Sequence, residues 1–452
     1  MTRSAGALLL ILVALFGFGA ACPSFAQAVP SRAPTIALDV RPLPSMDNPV
    51  VALNPEKATD AYLARISGKA RARSDAYFEG GYVLLVVDTI YAIAVSALLL
   101  FRRISTWMRN LAQRTTRSRF LQVPIYVAQY TALTTVLTAP LQIYQGFYRE
   151  HAFGLSNQNF GQWLGDAATA FLVSLVATMI ILSLIYAAIR ATPLHWWKWG
   201  AAIAVLYLVV AFVISPVAIA PLFNHYRPLP ESSIKHDILS MAHANGIPAT
   251  NIYEFDASRQ SNRISANVSG FLGTTRISMT DNLMTKGAPN EIKAILGHEM
   301  GHYVLNHQAL LVTWIGLLWL VGFAFVNWLF GVLVRAFGER WDVRSIDDPA
   351  GLPVLVAAAT LFLFLATPVE NTIVRTVETQ ADMFGLNAAR QPDGFATSAL
   401  KLSTYRKLDP SPLEEFVFYD HPSGRTRIHT AMRWKAEHLN DPDIKTGPVS
   451  PQ

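Results

Sequence analysis

Two histidines one helical turn apart, with a glutamate beside the first, are the residues whose types and spacing could do chemistry. They are His298, Glu299 and His302 in the stretch EIKAILGHEMGHYVLNH, residues 291–307. On an α-helix positions i and i+4 share a face, so both imidazoles can hold a single Zn2+. Glu299, next to the first ligand, then reaches the metal-bound water as general base. A five-residue match also arises by chance, and a histidine beside Gly301 on an apolar helix can be packed and nothing more. A zinc peptidase site needs a third protein ligand and an open position for water, and the rest of the chain has to supply that ligand.

A metzincin continuation fails, because Leu305 and Gln308 stand where glycine and histidine are required. His307 lies five residues past His302, roughly 140° around a continuous helix, and is not expected to be a ligand. The better candidate is Glu378 in ENTIVRTVETQADMFG, where Glu378 and Asp382 are again i and i+4. Asp382 is expected to accept the far N–H of a ligating histidine, fixing its tautomer and raising its basicity. The plainer reading of that helix is a solvated face with Arg375, Glu378 and Asp382 as ordinary charge pairs. His421, held in a loop by Pro422, is a candidate donor to the oxyanion that develops during acyl transfer. Taken alone, it reads equally as a surface histidine.

The elements that must position these groups are membrane helices. Of 452 residues, 52% are hydrophobic and 15% charged, and the mean hydropathy of +0.29 belongs to a membrane protein rather than a soluble enzyme. Apolar runs long enough to cross a bilayer occur at about 82–101, 122–144, 168–189, 199–223, 309–334 and 351–369. Trp196, Trp197 and Trp199 beside Lys198, and Tyr144 and Tyr148 near Arg149, resemble interfacial anchors. Asp88, within the first run, either faces inward or snorkels to the nearer end. The net charge of +6 sits in span-flanking loops, no nucleic-acid-binding motif appears, and the single Cys22 excludes a disulfide framework or a cysteine zinc site.

Residues 1–28 open with Arg3, run apolar from Ala5 to Ala21 and end SFAQA, the pattern of a secretory signal cleaved after Ala26 or of a first span. Residues 29–80 read as a polar scaffold, completing an N-terminal membrane domain of four spans over 29–223. Residues 224–452 form a peptidase domain with two further spans. Between the fourth and fifth spans, 224–308 reads as a small α+β unit. Ser232–Ala244 has helical spacing, Asn251–Phe255 alternates as a strand, and Asn267–Phe271 with Arg276–Thr280 suggest a hairpin-like pair. An exposed strand there could take an extended peptide by strand addition, or simply cap the histidine helix. Phe395–Lys407 is a further helical pattern.

Arg102, Arg103, Arg109, Arg114, Arg117 and Arg119 follow the first span, Arg190 and Lys198 the third, and Arg335, Arg340 and Arg344 the fifth, all on one side. The opposite short loop, 146–165, has only Arg149. The positive-inside rule places the arginine-rich loops in the cytoplasm and the metal site outward, facing the periplasm of a bacterial inner membrane. An uncleaved first span with its N-terminus outside would instead put the site in the cytoplasm.

Together these residues resemble the type I CAAX prenyl endopeptidases, integral-membrane gluzincin zinc metallopeptidases. The resemblance rests on FGLSNQNFGQWLGD at 153–166, PLFNHYRPLPE at 221–231, the His298–His302 motif with the later His307, the spacing Asn371, Arg375, Glu378, Ala381, Asp382, and His421-Pro422 with Arg427. It implies a mainly α, polytopic helical barrel enclosing a chamber, with a small α+β peptidase domain at one end. It also implies His298, His302 and Glu378 as zinc ligands, Glu299 as base, and Asp382, His421 and Arg427 as supporting or substrate-facing groups. Where the family has S-x-H-S-N-A-Y, this chain has Ser261-Asn262-Arg263-Ile264-Ser265-Ala266-Asn267, which leaves Asn267 as the substrate-facing candidate of that segment. The implied partners are the lipid bilayer and a peptide or protein substrate, prenylated or membrane-associated. A quality-control peptidase acting on unprenylated segments fits the same residues, as does a zinc-binding scaffold that has lost catalysis, although the intact Glu299 argues against the scaffold. A transporter would show repeated halves or several midplane charges, and neither is seen.

Overall fold

A computed structural model describes residues 53–269 and 275–444; the expected signal segment and Cys22 lie outside them. The N-terminal half carries α1 (Pro55–Leu63), α2 (Gly68–Phe101), α3 (Ile104–Thr115), α4 (Arg119–Ile143), α5 (Phe160–Ala191) and α6 (Trp196–Ile214). The insert contains β1 (Tyr226–Pro228), α7 (Ser233–Ala244), β2 (Ile252–Phe255), β3 (Ala266–Ser269), β4 (Arg276–Thr280), α8 (Asp281–Lys286) and α9 (Pro289–Val304). Then follow α10 (His307–Trp341), α11 (Leu352–Ala389), α12 (Pro392–Leu402), α13 (Pro412–Phe418) and α14 (Gly424–Glu437).

Among the described residues six helices are long and apolar enough to cross a membrane, at the six places where apolar runs occur in the sequence. They extend well beyond those runs. α2 starts at Gly68, capped by the Ser67 hydroxyl accepting from the Ala70 N–H at 3.3 Å. The last part of the segment read as polar scaffold is therefore the first turns of the first span. Helix propensity carries a helix past the hydrophobic window wherever caps and tertiary contacts permit.

The six spans form a closed ring. α2 packs on α11, α11 on α10, α10 on α6, α6 on α5 and α5 on α4. α4 returns to α2, where Tyr91 O–H donates to the Leu137 carbonyl at 2.9 Å and Gln145 donates to Asp88 at 2.6 Å. Asp88 thus serves as a helix-to-helix acceptor rather than a snorkelling charge. At the end carrying the arginine-rich loops the ring is plugged by an apolar core that includes Leu99, Tyr126, Ile185, Leu208, Phe330 and Leu352. The amphipathic α3 closes that end. Its Arg109, only 2% exposed, donates to Asp348 at 2.7 Å and Asp342 at 2.8 Å, and Ser105 donates to the Ala350 carbonyl at 2.7 Å.

The insert and the C-terminal helices sit at the other end. The sheet has the order β1-β2-β4-β3, with β2 parallel to β4 and both outer pairs antiparallel. Ile252, Val268, Ile277 and Met279 bury one face against Ile238 of α7 and Ile292, Leu296 and Met300 of α9. The strand expected over 251–255 is present at 252–255, and the pair expected over 267–271 and 276–280 is present as β3 and β4, with 270–271 outside the described residues, whereas β1 and the parallel pairing have no period-2 signature long enough to read. α12 ends at Leu402 rather than near Lys407, where a tight turn closes with Ser403 N–H on the Leu400 carbonyl at 3.0 Å. Arg263 pairs with Glu150 at 2.7 Å, and Tyr77 O–H donates to the same carboxylate at 2.7 Å, tying the loop before β3 to the ends of the first two spans. α1 is stapled to the C-terminal helices: Tyr62 O–H donates to Asp393 and Lys435 pairs with Asp393, each at 2.7 Å, and Arg425 meets Asp60 at 2.7 Å.

Candidate metal centre

The centre forms where α9 crosses α11, and small residues make the crossing close. A Cβ on Gly385 would stand 2.7 Å from the His298 backbone nitrogen, and one on Gly301 would meet the Ala381 Cα at 3.2 Å. With no side chain between the backbones, residues one and two turns along α11 project directly over the histidine face of α9. Glu378 and Asp382 are those residues, and both are buried.

The Nε2 atoms of His298 and His302 are 3.1 Å apart. His298 Nε2 lies 3.3 Å from Glu378 Oε2, and His302 Nε2 lies 3.5 Å from Glu378 Oε1. Donors held at about 2.0–2.1 Å around a tetrahedral Zn2+ are separated by roughly 3.3 Å, so each spacing is close to an edge of such a site, with Glu378 turning a different oxygen to each histidine. Glu378 Oε2 is buried and accepts no hydrogen bond among the described residues despite its close nitrogens. An orphaned carboxylate oxygen facing two imidazole nitrogens is costly without a cation, and the donor set fits one. Among the described residues these three are the group that could hold a metal ion.

Behind the first histidine, Asp382 Oδ1 is 2.7 Å from His298 Nδ1. Arg427 Nε donates to Asp382 Oδ2 at 2.9 Å, and its Nη2 lies against Oδ1. Arg427, expected as a supporting or substrate-facing group, is buried with its guanidinium on Asp382, the contact of a supporting group. Its spacing, 45 residues downstream of Asp382, gave no sign of which group it would support. Burial alone disfavours a charged His298 ring, but Asp382 and Glu378 outweigh it and push its pKa up to about 9. His302, with no carboxylate on its Nδ1, is held well below the ordinary histidine value by burial. Burial also raises the Glu299 carboxyl above the usual range.

His421 Nε2 sits 3.2 Å from Glu378 Oε2, and its Nδ1 sits 2.8 Å from Asp420. α11 itself holds this loop. Asn371 donates to the Val417 carbonyl at 2.7 Å, and Arg375 donates to the carbonyls of Glu415 at 2.9 Å and Tyr419 at 2.5 Å. The Asn371, Arg375, Glu378, Asp382 spacing is therefore one helix face with two jobs, clasping the His421 loop and reaching the histidines. Asn267 is not part of this cluster. It alternates away from Ala266 and Val268, which bury towards α9, and its Oδ1 has no hydrogen-bond partner among the described residues. Arg263, which departs from the family wording, is taken up by Glu150 and Tyr77.

His307 lies where a continuous helix would not put it. α9 ends at Val304, Asn306 adopts φ +53°, and α10 begins at His307, whose ring returns to His302 with 3.0 Å between the two Nδ1 atoms. Its Nε2 meets Gln380 Oε1 at 3.1 Å. Neither contact was legible in the sequence, because extrapolating the helix past Asn306 carries His307 to another face.

The family model for peptidase family M48 matches residues 228–435, and that for the CAAX prenyl protease N-terminal region, described as five membrane helices, matches 53–225. The uncharacterized metalloprotease YhfN of Bacillus subtilis is 29% identical over 70% of this chain and 74% of its own length. CAAX prenyl protease 1 of Saccharomyces cerevisiae is 27% identical over 69% of this chain and 72% of its own. The crystal structure of S. mikatae Ste24p superimposes with a TM-score of 0.69 at 21% identity, covering 84% of this chain and 94% of that one, which establishes the shared fold. With its ring of membrane helices and small sheet, its match to peptidase family M48 over 228–435 and to the CAAX prenyl protease N-terminal region over 53–225, this chain is a multi-pass membrane metallopeptidase.

Proposed function

We propose that His298, His302 and Glu378 hold a Zn2+ and that the protein is a zinc endopeptidase acting on polypeptide segments presented at the membrane. The carrying observation is the meeting of three buried donor residues on two crossing helices, with the histidine Nε2 atoms 3.1 Å apart and the two Glu378 oxygens 3.3 and 3.5 Å from one Nε2 each. Bound there, zinc supplies Lewis acidity, lowering the pKa of water and polarising a carbonyl oxygen. Glu299 accepts the proton of the attacking water and passes it to the leaving nitrogen. Its buried setting increases its proton affinity, which suits a group that must take a proton and return it. His421 steadies the tetrahedral oxyanion by donating from its ring, and the Arg375 and Asn371 clasp fixes its loop. Asp382 orients His298 through Nδ1, and Arg427 holds Asp382 in place.

Relatives named CAAX prenyl proteases support a carboxyl-terminal prenylated substrate class. A second reading, cleavage of unprenylated membrane-associated segments, is favoured by Arg263, whose side chain is spent on Glu150 where the family wording has a different residue. One experiment separates them: cleavage of matched peptides with and without a prenyl-cysteine near the carboxyl end, by wild type, Glu299→Gln and Glu378→Ala, with zinc content measured for each. Glu299→Gln should keep its zinc and lose about 10²–10⁴-fold in rate, and Glu378→Ala should lose both zinc and activity. Retained hydrolysis in Glu299→Gln sinks the mechanism, and a full zinc complement in Glu378→Ala sinks the ligand assignment. Cleavage restricted to the prenylated peptide selects the first reading, and cleavage of both selects the second.

A further inference from the structure

We propose that His307 and Gln380 are positioning residues that fix the tautomer of His302, forming a neutral relay behind the second metal ligand in place of the carboxylate behind the first. This inference rests on the assignment of His302 as a ligand. The two histidines of the centre have different supports. His298 Nδ1 faces the Asp382 carboxylate at 2.7 Å, itself bound by Arg427. His302 Nδ1 faces only another imidazole, the Nδ1 of His307 at 3.0 Å, and His307 Nε2 continues to Gln380 Oε1 at 3.1 Å.

The direction of this chain follows from the chemistry at its two ends. An amide oxygen accepts, so His307 Nε2 carries the proton and donates to Gln380. His307 Nδ1 is then a bare lone pair and accepts from His302 Nδ1–H. That leaves the His302 Nε2 lone pair directed at His298 Nε2 and Glu378, where the cation would sit. The reverse direction would put a proton on His302 Nε2, pointing at His298 Nε2, and would leave no lone pair for a metal. Only one proton arrangement is compatible with a ligating His302, and His307 enforces it.

Backbone geometry maintains the contact. The left-handed Asn306 ends α9 and starts α10, so His307 is the first residue of a membrane span and returns over the histidine helix. His307 is 1% exposed, and Gln380 comes from α11, the helix that also supplies Glu378. The relay therefore links α9, α10 and α11 through the ring of a single ligand.

The test is Zn2+ affinity, by chelator competition, of the full-length protein in bilayer nanodiscs, with the melting temperature of the zinc-free form measured in parallel. His302→Ala should lose the metal. His307→Phe, which keeps a ring but no acceptor, should bind Zn2+ about 10–100-fold more weakly, the effect typical of removing the partner of a ligating histidine. His307→Asn, whose Oδ1 replaces Nδ1 as acceptor, should recover most of that loss. Gln380→Leu should cost less, because water can accept from His307 at this more open position. The zinc-free melting temperatures of wild type and His307→Phe should coincide. If His302→Ala loses zinc but His307→Phe binds it as wild type does, the relay is overturned and the ligand assignment stands. If His302→Ala binds zinc normally, the ligand assignment itself falls. A zinc-free His307→Phe that melts well below wild type, with no recovery in His307→Asn, makes His307 a packing residue and overturns the relay.

Discussion

Asp382 illustrates how much one side chain carries in this centre. It accepts from His298 Nδ1 and from two nitrogens of Arg427 while 2% exposed, so it is buried as an anion between a ring and a guanidinium. Replacing it with asparagine keeps the shape but removes the charge that makes His298 a good donor and neutralises Arg427. Zinc affinity of Asp382→Asn should fall about 10–100-fold, as for other partners of ligating histidines. Chelator competition reads this directly, and an unchanged affinity would show that His298 needs no anionic support. The pairing of Asp382 with a ligating histidine could be reasoned from its i+4 spacing to Glu378. Arg427 entered only through the family resemblance, because its contact with Asp382 depends on where α14 packs.

At the scale of elements, the crossing of α9 and α11 decides whether the three donors meet at all. The residues are 76 to 80 positions apart in the chain, from His302 to Glu378 and from His298 to Glu378. Gly385 stands so close to the His298 backbone that any side chain must push the helices apart. Gly385→Ala should therefore cost about 1–3 kcal/mol by overpacking, with the donors spread along with the helices. A lower melting temperature together with a reduced zinc content would check this, and a wild-type zinc complement would show that the crossing tolerates the displacement. α9, α11 and the spans were legible because each has a long 3.6-residue or wholly apolar pattern. β1 and the short α13 were not, since three and seven residues hold too few periods to read. The chain reversal at Asn306 was hidden for another reason: a single left-handed residue leaves no periodic mark, and it relocates His307 completely.

For the whole molecule, the ring has two unlike ends. One is plugged by apolar packing and sealed by α3, whose Arg109 is buried between Asp342 and Asp348. Arg109 and Asp348 are both buried, and truncating either partner of such a pair typically costs about 3–5 kcal/mol, so this closure is far from a loose surface contact. The other end carries the sheet, the donors and the C-terminal helices. The arginines of 102–119 belong to the plugged end, and from the positive-inside rule we propose that the metal centre faces outward. In a Cys22→Ala background, a cysteine placed at Asn440 should react with a membrane-impermeant maleimide in intact cells, and one placed at Arg117 only after permeabilisation. The opposite labelling would put the centre in the cytoplasm.

The sequence by itself determined the class of molecule: six apolar stretches long enough to span a bilayer, a helix with two histidines and a glutamate in register, and a second helix with two carboxylates in register. These are local patterns, and local periodicity is what a single chain displays. The tertiary structure decided which of these faces meet, because the meeting depends on backbone contact at Gly301 and Gly385 and on the packing of α14. It also decided what stands behind each histidine, a carboxylate for His298 and a second imidazole for His302. Both partners arrive through chain reversals and helix crossings, and those are set by side-chain volumes summed over the whole fold rather than by any spacing along it.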